Sequence, residues 1–294
     1  MDILTTKKRI MKPILIHVHV FYPELLSEIQ LALESFQPYP HELWITYVEG
    51  NQEIAKDLSH FERVIPVPNQ GYDIGPFIQI LNQVDLTKYS YIAKIHTKRN
   101  LTKWTFLKHM PVSGSRWRNY LLSYSRPENL AACLDAFDRE PSLGMVGHHA
   151  LIHNTEPGDT NAWEEGKKLL HRCGLEEKNS HFVCGTMFIC RAALMQPVKD
   201  VLSDVEFETP SRAIRCSISH AVERLLGMCI TSQGYEIKDV YTPIKDRKKL
   251  KIKGILEYIC YNICRFFYLN KTTGSGKRII KIAKIPVYYS KKAN

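Results

Sequence analysis

An α/β fold built on a Rossmann-type sheet is predicted by this sequence, and three observations carry the prediction. The chain has 294 residues, of which 44% are apolar, enough to bury the core of one large domain or two small ones. Short apolar runs alternate with segments of helical period through its first third. No segment recurs at a spacing of about 20 to 50 residues, which excludes repeat architectures. Strands separated by single helices form parallel sheets with right-handed crossovers, so helices are expected on both faces.

The first part of the chain predicts four strands and three helices in strict alternation. The strands are expected at residues 13–20, 43–48, 63–67 and 91–95, and the helices at residues 23–36, 52–60 and 75–84. This order predicts a nucleotide-binding half over about residues 13–110. Because such sheets bind ligands at the carboxyl ends of their strands, the site is expected at residues 47–50, 69–73 and 96–99.

The rest of the chain is less regular and is expected to complete the same domain over residues 111–244. Helices are predicted at residues 116–124, 127–139, 162–173, 191–202 and 218–228, and strands at residues 143–148, 182–189 and 235–240. From residue 250 to residue 269 the apolar positions keep helical spacing. We therefore expect residues 245–294 to form a separate, basic, amphipathic helical tail.

Charge is concentrated in that tail. The whole chain carries a formal net charge of +10, and residues 245–294 contain 14 basic and 2 acidic side chains, so residues 1–244 are nearly neutral. The near-neutral body argues against a nucleic-acid groove, and the cationic tail predicts binding to an anionic membrane surface. The helical segment is too short and too polar to span a bilayer. It either lies in the headgroup layer or docks on the core, and the sequence leaves both open.

The eight cysteines are expected to be reduced, because they lie inside apolar segments and lack the dense spacing of a disulfide framework. The basic residues 7–12 and the apolar run after them look superficially like a signal peptide. That run contains His17 and His19, and no small-residue cleavage site follows it. The protein is therefore expected to stay in the cytoplasm.

A glycine-containing loop, NQGYDIGPF at residues 69–77, lies between a predicted strand and a predicted helix. Gly71 and Gly75 would let the backbone turn sharply and approach a ligand, and free amides at the start of the helix would favour a phosphate. Asp73 could accept a hydrogen bond from a ribose or sugar hydroxyl. The alternative is that Asp73 only caps the helix.

Two further segments carry polar side chains suited to catalysis. KIHTK at residues 94–98 ends a predicted strand, followed by Arg99, and its cations could neutralise a departing diphosphate. On the predicted helix 218–228, His220, Glu223 and Arg224 share one face, and a carboxylate beside a histidine suits general-base catalysis. A solvated basic loop and a salt-bridged helix surface are the respective alternatives.

Taken in order, these segments resemble the rhamnan synthesis F family of bacterial polysaccharide glycosyltransferases, which is GT-A-like. The resemblance rests on HVHVFYP at 17–23, NQGYDIGPF at 69–77, KIHTK at 94–98, GTMF at 185–188 followed by Arg191, and HAVERLLG at 220–227. It covers roughly residues 13–240. Tyr72 stands where the family commonly looks to have arginine, and this difference bears on the identity of the donor sugar.

The resemblance implies an inverting glycosyltransferase that moves a sugar from a nucleotide diphosphate donor to a lipid-linked polysaccharide, O-antigen or capsule acceptor. Rhamnose from dTDP-rhamnose is the first expectation, and galactosyl or galactofuranosyl transfer from a UDP donor is the alternative. The expected location is the inner face of the bacterial plasma membrane, as a peripheral protein. A noncatalytic membrane-associated adaptor is the competing interpretation, and no nucleic-acid partner is expected.

The resemblance also implies roles for individual residues. Glu223, oriented by His220, would deprotonate the acceptor hydroxyl. Lys98, with His96 or Arg99, would stabilise the leaving diphosphate. The remaining donor contacts are expected from Asn69, Gly71 and Asp73, and the contacts near the sugar or acceptor from Gly185, Thr186, Arg191 and Arg224.

No metal is expected, because HTK at residues 96–98 stands where GT-A enzymes often carry Asp-x-Asp. The alternative is Mn²⁺ or Mg²⁺ held by Asp73 and His96.

Overall fold

A computed structural model describes residues 12–100, 104–107, 110–154, 160–178, 180–210, 217–272, 278–282 and 285–289. The chain divides into two compact units. Unit 1 contains residues 1–100 and 115–242, and unit 2 contains residues 101–114 and 243–294. The sequence did not indicate that residues 101–114 group with the C-terminal segment.

Unit 1 is organised around a mixed seven-stranded sheet, which confirms the predicted fold class. Its strands are β1 (Ile14–Val20), β2 (His41–Val48), β3 (Val64–Val67), β4 (Tyr91–His96), β7 (Leu143–Val146), β10 (Phe188–Arg191) and β11 (Glu236–Lys238). The order across the sheet is β11-β7-β10-β4-β1-β2-β3. Strands β1 to β4 are parallel, as predicted, and β10 is antiparallel to both of its neighbours. Every residue of β1 and β4 is buried, so both faces of the central sheet are covered.

The helices of unit 1 agree closely with the predicted segments. They are α1 (Leu26–Glu34), α2 (Gln52–Asp57), α3 (Ile74–Gln83), α4 (Gly114–Leu121), α5 (Pro127–Arg139), α6 (Thr160–Arg172), α7 (Gln196–Leu202) and α8 (Ile218–Ser232). The predicted and observed helices agree because each helix has an amphipathic spacing of apolar residues. In α3, for example, seven of the ten residues are buried. Most boundaries differ from the predicted ones by a few residues, because fraying ends carry little periodicity.

The predicted strand at residues 182–189 is wrong as a single element. It divides into β9 (His181–Val183), which pairs with β8 (Ile152–Asn154), and β10, which enters the main sheet. The chain turns between them at Gly185 and Thr186, which both have positive φ, 83° and 51°. A 3₁₀ turn, Ala192–Met195, then precedes α7, where a continuous helix was expected.

The order of strands creates a topological switch point in unit 1. From β1 the chain proceeds outward through β2 and β3, and β4 then returns to the opposite side of β1. The chain connections therefore leave β1 and β4 in opposite directions, and in α/β sheets ligands bind at the carboxyl ends of the two strands where this happens. The fold thus places a candidate site where the sequence predicted one.

Unit 2 contains a hairpin, a long helix and a small sheet. The hairpin joins β5 (Thr105–Leu107) to β6 (Met110–Val112), and the helix is α9 (Ile244–Phe267). Three antiparallel strands follow: β12 (Tyr268–Thr272), β13 (Arg278–Ile282) and β14 (Ile285–Tyr289). The predicted helix of the tail is present as α9, and the three strands that follow it were not predicted. The last part of the tail is rich in β-branched and aromatic residues, a strand signal that the charge pattern obscured.

The apolar stripe of the tail is exposed. The side chains of Ile252, Ile255, Leu256, Ile259, Ile263 and Phe266 are all exposed. Among the described residues, no helix is both long and apolar enough to cross a bilayer.

Candidate active site

The candidate site begins where β1 and β4 end side by side. His19 and His96 are neighbours in register across the two strands. Just beyond them the backbone N–H of Thr97 donates to the His19 carbonyl (3.0 Å). The Thr97 hydroxyl accepts hydrogen bonds from the backbone N–H groups of Phe21 (2.8 Å) and Tyr22 (2.9 Å). The switch point is thus a fixed backbone framework that carries polar side chains.

A buried ion pair lies directly beside this framework. The Lys94 ammonium, in β4, is 2.6 Å from the Asp73 carboxylate, and the Lys94 side chain is completely buried. Lys94 also donates to the Thr186 hydroxyl (2.9 Å), which in turn donates to Asp73. Asp73 precedes α3 but makes no capping hydrogen bond with its side chain. The alternative that Asp73 only caps the helix is therefore wrong.

Burial and charge act in opposite directions on this pair. Burial would raise the pKa of the Asp73 carboxyl, but His96, Lys94 and Lys98 nearby lower it, and the net pKa is well below the usual value. Burial lowers the pKa of Lys94, and Asp73 opposes that shift. Asp73 is therefore ionised, and the Lys94 ammonium is its counter-charge.

Three histidines of the central strands are buried and neutral. The rings of His17 and His19 share the Thr46 hydroxyl, at 2.9 and 3.0 Å. Burial lowers the pKa of His19 to about 4. Burial, together with the charge of Lys94, also places the pKa of His17 well below 6.5, and the pKa of His96 shifts in the same direction chiefly because of burial.

These shifts predict acid destabilisation. Between pH 6.5 and about 4 the unfolded chain protonates His19 while the folded chain does not, so the free energy of unfolding falls as pH falls. The slope is about 1.4 kcal/mol per pH unit for each such histidine. We expect His19→Gln to reduce this slope, measured by urea unfolding at several pH values. An unfolding free energy that is the same at neutral and mildly acidic pH would contradict the assignment.

His96 stands out because it is buried without a hydrogen bond. It is 2% exposed, and neither ring nitrogen has a hydrogen-bond partner within the described part of the chain. Its Nδ1 lies 3.4 Å from the Asp73 carboxylate, a contact that becomes an ion pair only if the ring is protonated. An unsatisfied buried polar group costs about 1–3 kcal/mol. A bound ligand at the switch point would supply the missing partner.

Backbone strain is concentrated at the same place. Among the described residues, the non-glycine residues with positive φ are Tyr72 (55°) and Thr186 (51°). Tyr72 directly precedes Asp73, and the Thr186 hydroxyl bonds to Asp73. For a β-branched residue such a φ is a genuine outlier, and each strained residue costs roughly 1–3 kcal/mol. Strain of this kind is typical of functional sites.

The glycine-containing loop has a different role from the predicted one. A Cβ atom on Gly71 would lie 2.7 Å from the Phe207 ring, and one on Gly75 would lie 2.3 Å from the Gln70 carbonyl. The backbone N–H groups of Gln70, Gly71, Ile74 and Gly75 all donate within the chain. The glycines therefore allow close internal packing, and the prediction that these amides are free for a phosphate is wrong. Asn69 is exposed at the edge of this loop.

Lys98 and Arg99 differ in their availability to a ligand. Lys98 is half-buried, and its ammonium has no hydrogen-bond or ion-pair partner within the described residues. Arg99 is exposed, pairs with Glu24 (2.5 Å) and lies over the Tyr22 ring. Lys98 is thus the cation best placed to take an anion, because Arg99 already has a counter-charge.

The α8 face brings Glu223 to the site through unexpected partners. Glu223 Oε1 accepts from the Gly185 N–H (2.7 Å), and Oε2 pairs with Arg224 (2.6 Å). Glu223 therefore holds the turn that places Thr186 on Asp73. The sequence predicted that His220 would orient Glu223, but within the described residues no hydrogen bond joins these two side chains. The His220 ring instead bonds to the helix-capping Ser217 hydroxyl (2.7 Å). His220 reaches the Asp73 loop through Tyr72, with ring centroids 6.3 Å apart.

Arg191 is not part of this site. It pairs in register with Tyr91, the first residue of β4, whereas the site is at the opposite end of that strand. Its guanidinium donates to the carbonyls of Leu143 and Phe137, both at 2.7 Å. The prediction that Arg191 lies beside the sugar is therefore wrong, and its role is to satisfy backbone carbonyls near the end of α5.

A comparison with known families gives a match over most of the chain. The family model described as "Rhamnan synthesis protein F" matches residues 2–235. The chain belongs to the rhamnan synthesis protein F family. The match contains every side chain of the candidate site and ends before α9. Membership associates this family member with polysaccharide synthesis.

Curated relatives give a partial match. "Uncharacterized protein WxcX" of Xanthomonas campestris pv. campestris is 28% identical over 179 residues, in both strain B100 and strain ATCC 33913. The alignment covers 58% of this chain and 24% of each relative. The chain therefore spans only about a quarter of the length of the curated relatives that it matches.

Two groups could be considered for a metal ion in this family member. In the described residues, ligand atoms of His148, His149 and Asp239 lie within 4.8 Å of one another. The Asp239 carboxylate already accepts backbone N–H groups of His149 (2.9 Å) and Thr242 (2.9 Å). These bonds tie together the loops that follow β7 and β11. The alternative ligands, Asp73 and His96, fit a metal poorly because the Lys94 ammonium would repel it.

Lys94 is the site residue that sequence reasoning missed. It was noted only as part of a motif, although a lysine in the middle of the apolar strand YIAKIH is itself a signal. A fully buried lysine requires a counter-charge. The sequence could not identify Asp73 as that partner, because 21 residues separate the two.

Proposed function

We propose that this protein is an inverting glycosyltransferase that uses a nucleotide diphosphate sugar in polysaccharide synthesis. The observation that carries the proposal is His96, a buried ring without hydrogen bonds at the switch point of the sheet, beside the ionised Asp73. Switch points of this kind bind nucleotides in α/β sheets. Family membership supports the polysaccharide context.

The donor would bind at the carboxyl ends of β1 and β4. His96 would hydrogen-bond to the donor, Asp73 would be held in place for a sugar or ribose hydroxyl, and Lys98 would neutralise the diphosphate. Lys94 and Thr186 would fix the position of the Asp73 carboxylate, since both bond to it. Asn69, at the exposed rim, is available for a contact with the nucleotide.

The transfer would be a single displacement at the anomeric carbon. The acceptor oxygen attacks from the face opposite to the diphosphate, forming the new glycosidic bond as the bond from carbon to diphosphate breaks. The acceptor proton passes to His220, and the diphosphate leaves with its added charge opposite Lys98. Glu223, with both oxygens engaged, would position the 185–186 turn. Glu223 as the base, the role expected from its sequence motif, is the alternative outcome of the tests below.

The family name also suggests which donor and acceptor substrates to test first. dTDP-rhamnose is the first donor to test, because the family name refers to rhamnan, and UDP-galactose or UDP-galactofuranose is the alternative. The acceptor would be a lipid-linked glycan at the cytoplasmic face of the plasma membrane. A noncatalytic adaptor is retained as a second candidate because the apolar face of α9 is exposed.

The test is a screen of purified nucleotide sugars for donor-dependent transfer and for release of the nucleoside diphosphate. We expect one donor to be used, and activity to persist in excess EDTA because Lys98 supplies the charge. Lys98→Ala should lower kcat/KM for the donor by roughly 10²–10³. The exposed control Lys88→Ala should leave kcat/KM unchanged.

Two results would contradict this proposal. If no nucleotide sugar is used and no nucleoside diphosphate raises the melting temperature, the adaptor interpretation is favoured. If EDTA abolishes transfer and Mn²⁺ or Mg²⁺ restores it, the metal-independent mechanism is wrong. His148, His149 and Asp239 would then be the first ligands to replace.

A further inference from the structure

Helix α9 presents a continuous apolar face that the fold leaves uncovered. The large apolar side chains on this face have exposed fractions between 38% and 58%. They are Ile252, Ile255, Leu256, Ile259, Ile263 and Phe266, which we call the α9 stripe. Their spacings of three, four and seven residues place them along one side of the helix.

The opposite side of α9 is already occupied. Tyr258 and Tyr261 contact the Trp104 ring, with centroids 5.4 and 5.6 Å apart, and Tyr258 also contacts Phe106 at 5.4 Å. Gly254 is buried, at a position that shares the Tyr258 and Tyr261 side of the helix. The hairpin β5–β6 therefore covers one side of α9 and fixes the orientation of its α9 stripe within unit 2.

Cations continue the α9 stripe toward the start of the helix. Lys245, Lys248 and Lys249 precede Ile252 by seven, four and three residues, so they lie on the same side of α9. Lys245 and Lys248 are exposed. Lys249 is 3.6 Å from Asp246, a pair too exposed to neutralise it strongly. One helix face thus combines lysines at its start with apolar side chains further along.

We propose that the α9 stripe and these lysines form a docking surface for a bilayer that contains anionic lipid. The apolar side chains would enter the boundary between headgroups and acyl chains, and the lysines would contact the phosphates. Charge favours this occupant over a second copy of the chain, because residues 245–294 carry 14 basic and 2 acidic side chains. A symmetric dimer through this face would bring two such segments together.

The experiment is co-sedimentation of the full chain with phosphatidylcholine vesicles, with and without about one third phosphatidylglycerol. We expect binding only to the anionic vesicles, and release as salt rises. Ile255→Asp combined with Ile259→Asp should weaken binding at least tenfold. The control is Leu31→Asp, which places one such carboxylate on an exposed apolar position of α1.

Two further double variants test whether the position of the lysines on α9 matters, or only the net charge of the protein. Lys245→Gln with Lys248→Gln should reduce binding about tenfold and make the remainder less sensitive to salt. Lys56→Gln with Lys88→Gln removes the same charge from exposed positions in unit 1 and should have no effect. Circular dichroism melting of every variant establishes that binding is compared between folded proteins.

Three results would overturn the proposal. The first is that the wild-type chain does not bind anionic vesicles at low salt. The second is that the α9 stripe variant binds as well as Leu31→Asp. The third is that the wild-type chain sediments as a dimer without lipid and Ile255→Asp with Ile259→Asp makes it monomeric, which would assign this face to a second copy. The assay contains no sugar donor, so its outcome is independent of the proposed transfer reaction.

Discussion

We expect His220→Asn to lower the kcat for the proposed sugar transfer by roughly 10² to 10⁴ and to leave donor affinity nearly unchanged. Asparagine can still bond to the Ser217 hydroxyl, which contacts the His220 ring at 2.7 Å, so the start of α8 is preserved. In the proposed mechanism, the variant loses the group that accepts the proton of the acceptor hydroxyl. The pH dependence of kcat, measured for both proteins, should therefore lose the limb that reports this base.

The matched variant is Glu223→Gln. Its carbonyl oxygen can still accept from the Gly185 N–H, but its amide no longer pairs with Arg224. We expect a moderate fall in kcat, about tenfold, with the pH limb retained. A loss of a hundredfold or more together with loss of the limb, while His220→Asn stays active, would make Glu223 the base. That result would restore the role expected from the sequence.

We expect Lys94→Met to destabilise the fold by about 3–5 kcal/mol, because the largely buried Asp73 carboxylate loses its counter-charge. Methionine nearly matches the length of the lysine, so packing changes little. The free energy of unfolding is measured by urea titration near neutral pH. The control is Lys168→Met, which breaks an exposed pair with Glu165 and should cost less than about 1 kcal/mol.

The double variant Lys94→Met with Asp73→Asn tests whether the unpaired Asp73 carboxylate causes the loss of stability in Lys94→Met. Neutralising the carboxyl should recover part of the stability lost in Lys94→Met, and the coupling between the two sites should reach about 1–3 kcal/mol. Transfer activity should be lost in the single and double variants alike, since Asp73 is a proposed donor contact. A Lys94→Met protein as stable as Lys168→Met would show that the buried pair contributes nothing to folding.

Much of the fold could be predicted because periodicity reports burial. Strand β1 and helix α3 were expected within a residue of their observed bounds, since each contains a run of apolar side chains with a clear period. The switch point could also be predicted, because strands separated by single helices leave few topologies open. The turn at Gly185 and Thr186 could not, since nothing local marks a threonine that adopts a positive φ.

The sequence predicted several candidate site residues from their chemical type, and the contacts in the structure corrected the roles of some of them. His96, Lys98, Asp73 and His220 were expected in a site, and they lie at or near the carboxyl edge of the sheet. The partner of Asp73, the role of the glycines at 71 and 75, and the place of Arg191 were not predicted correctly. Each depends on contacts between residues far apart in the sequence, such as Gly71 with Phe207.

The sequence by itself determined the alternating α/β order, the family and the concentration of positive charge after residue 244, because these are properties of composition and local spacing. Only the tertiary structure decided which charges pair, which imidazole is buried without a hydrogen bond, and which side of α9 is covered. Pairing and burial depend on the surroundings that distant segments create. A local pattern can therefore indicate that Lys94 needs a counter-charge, but only the packed sheet identifies that counter-charge as Asp73.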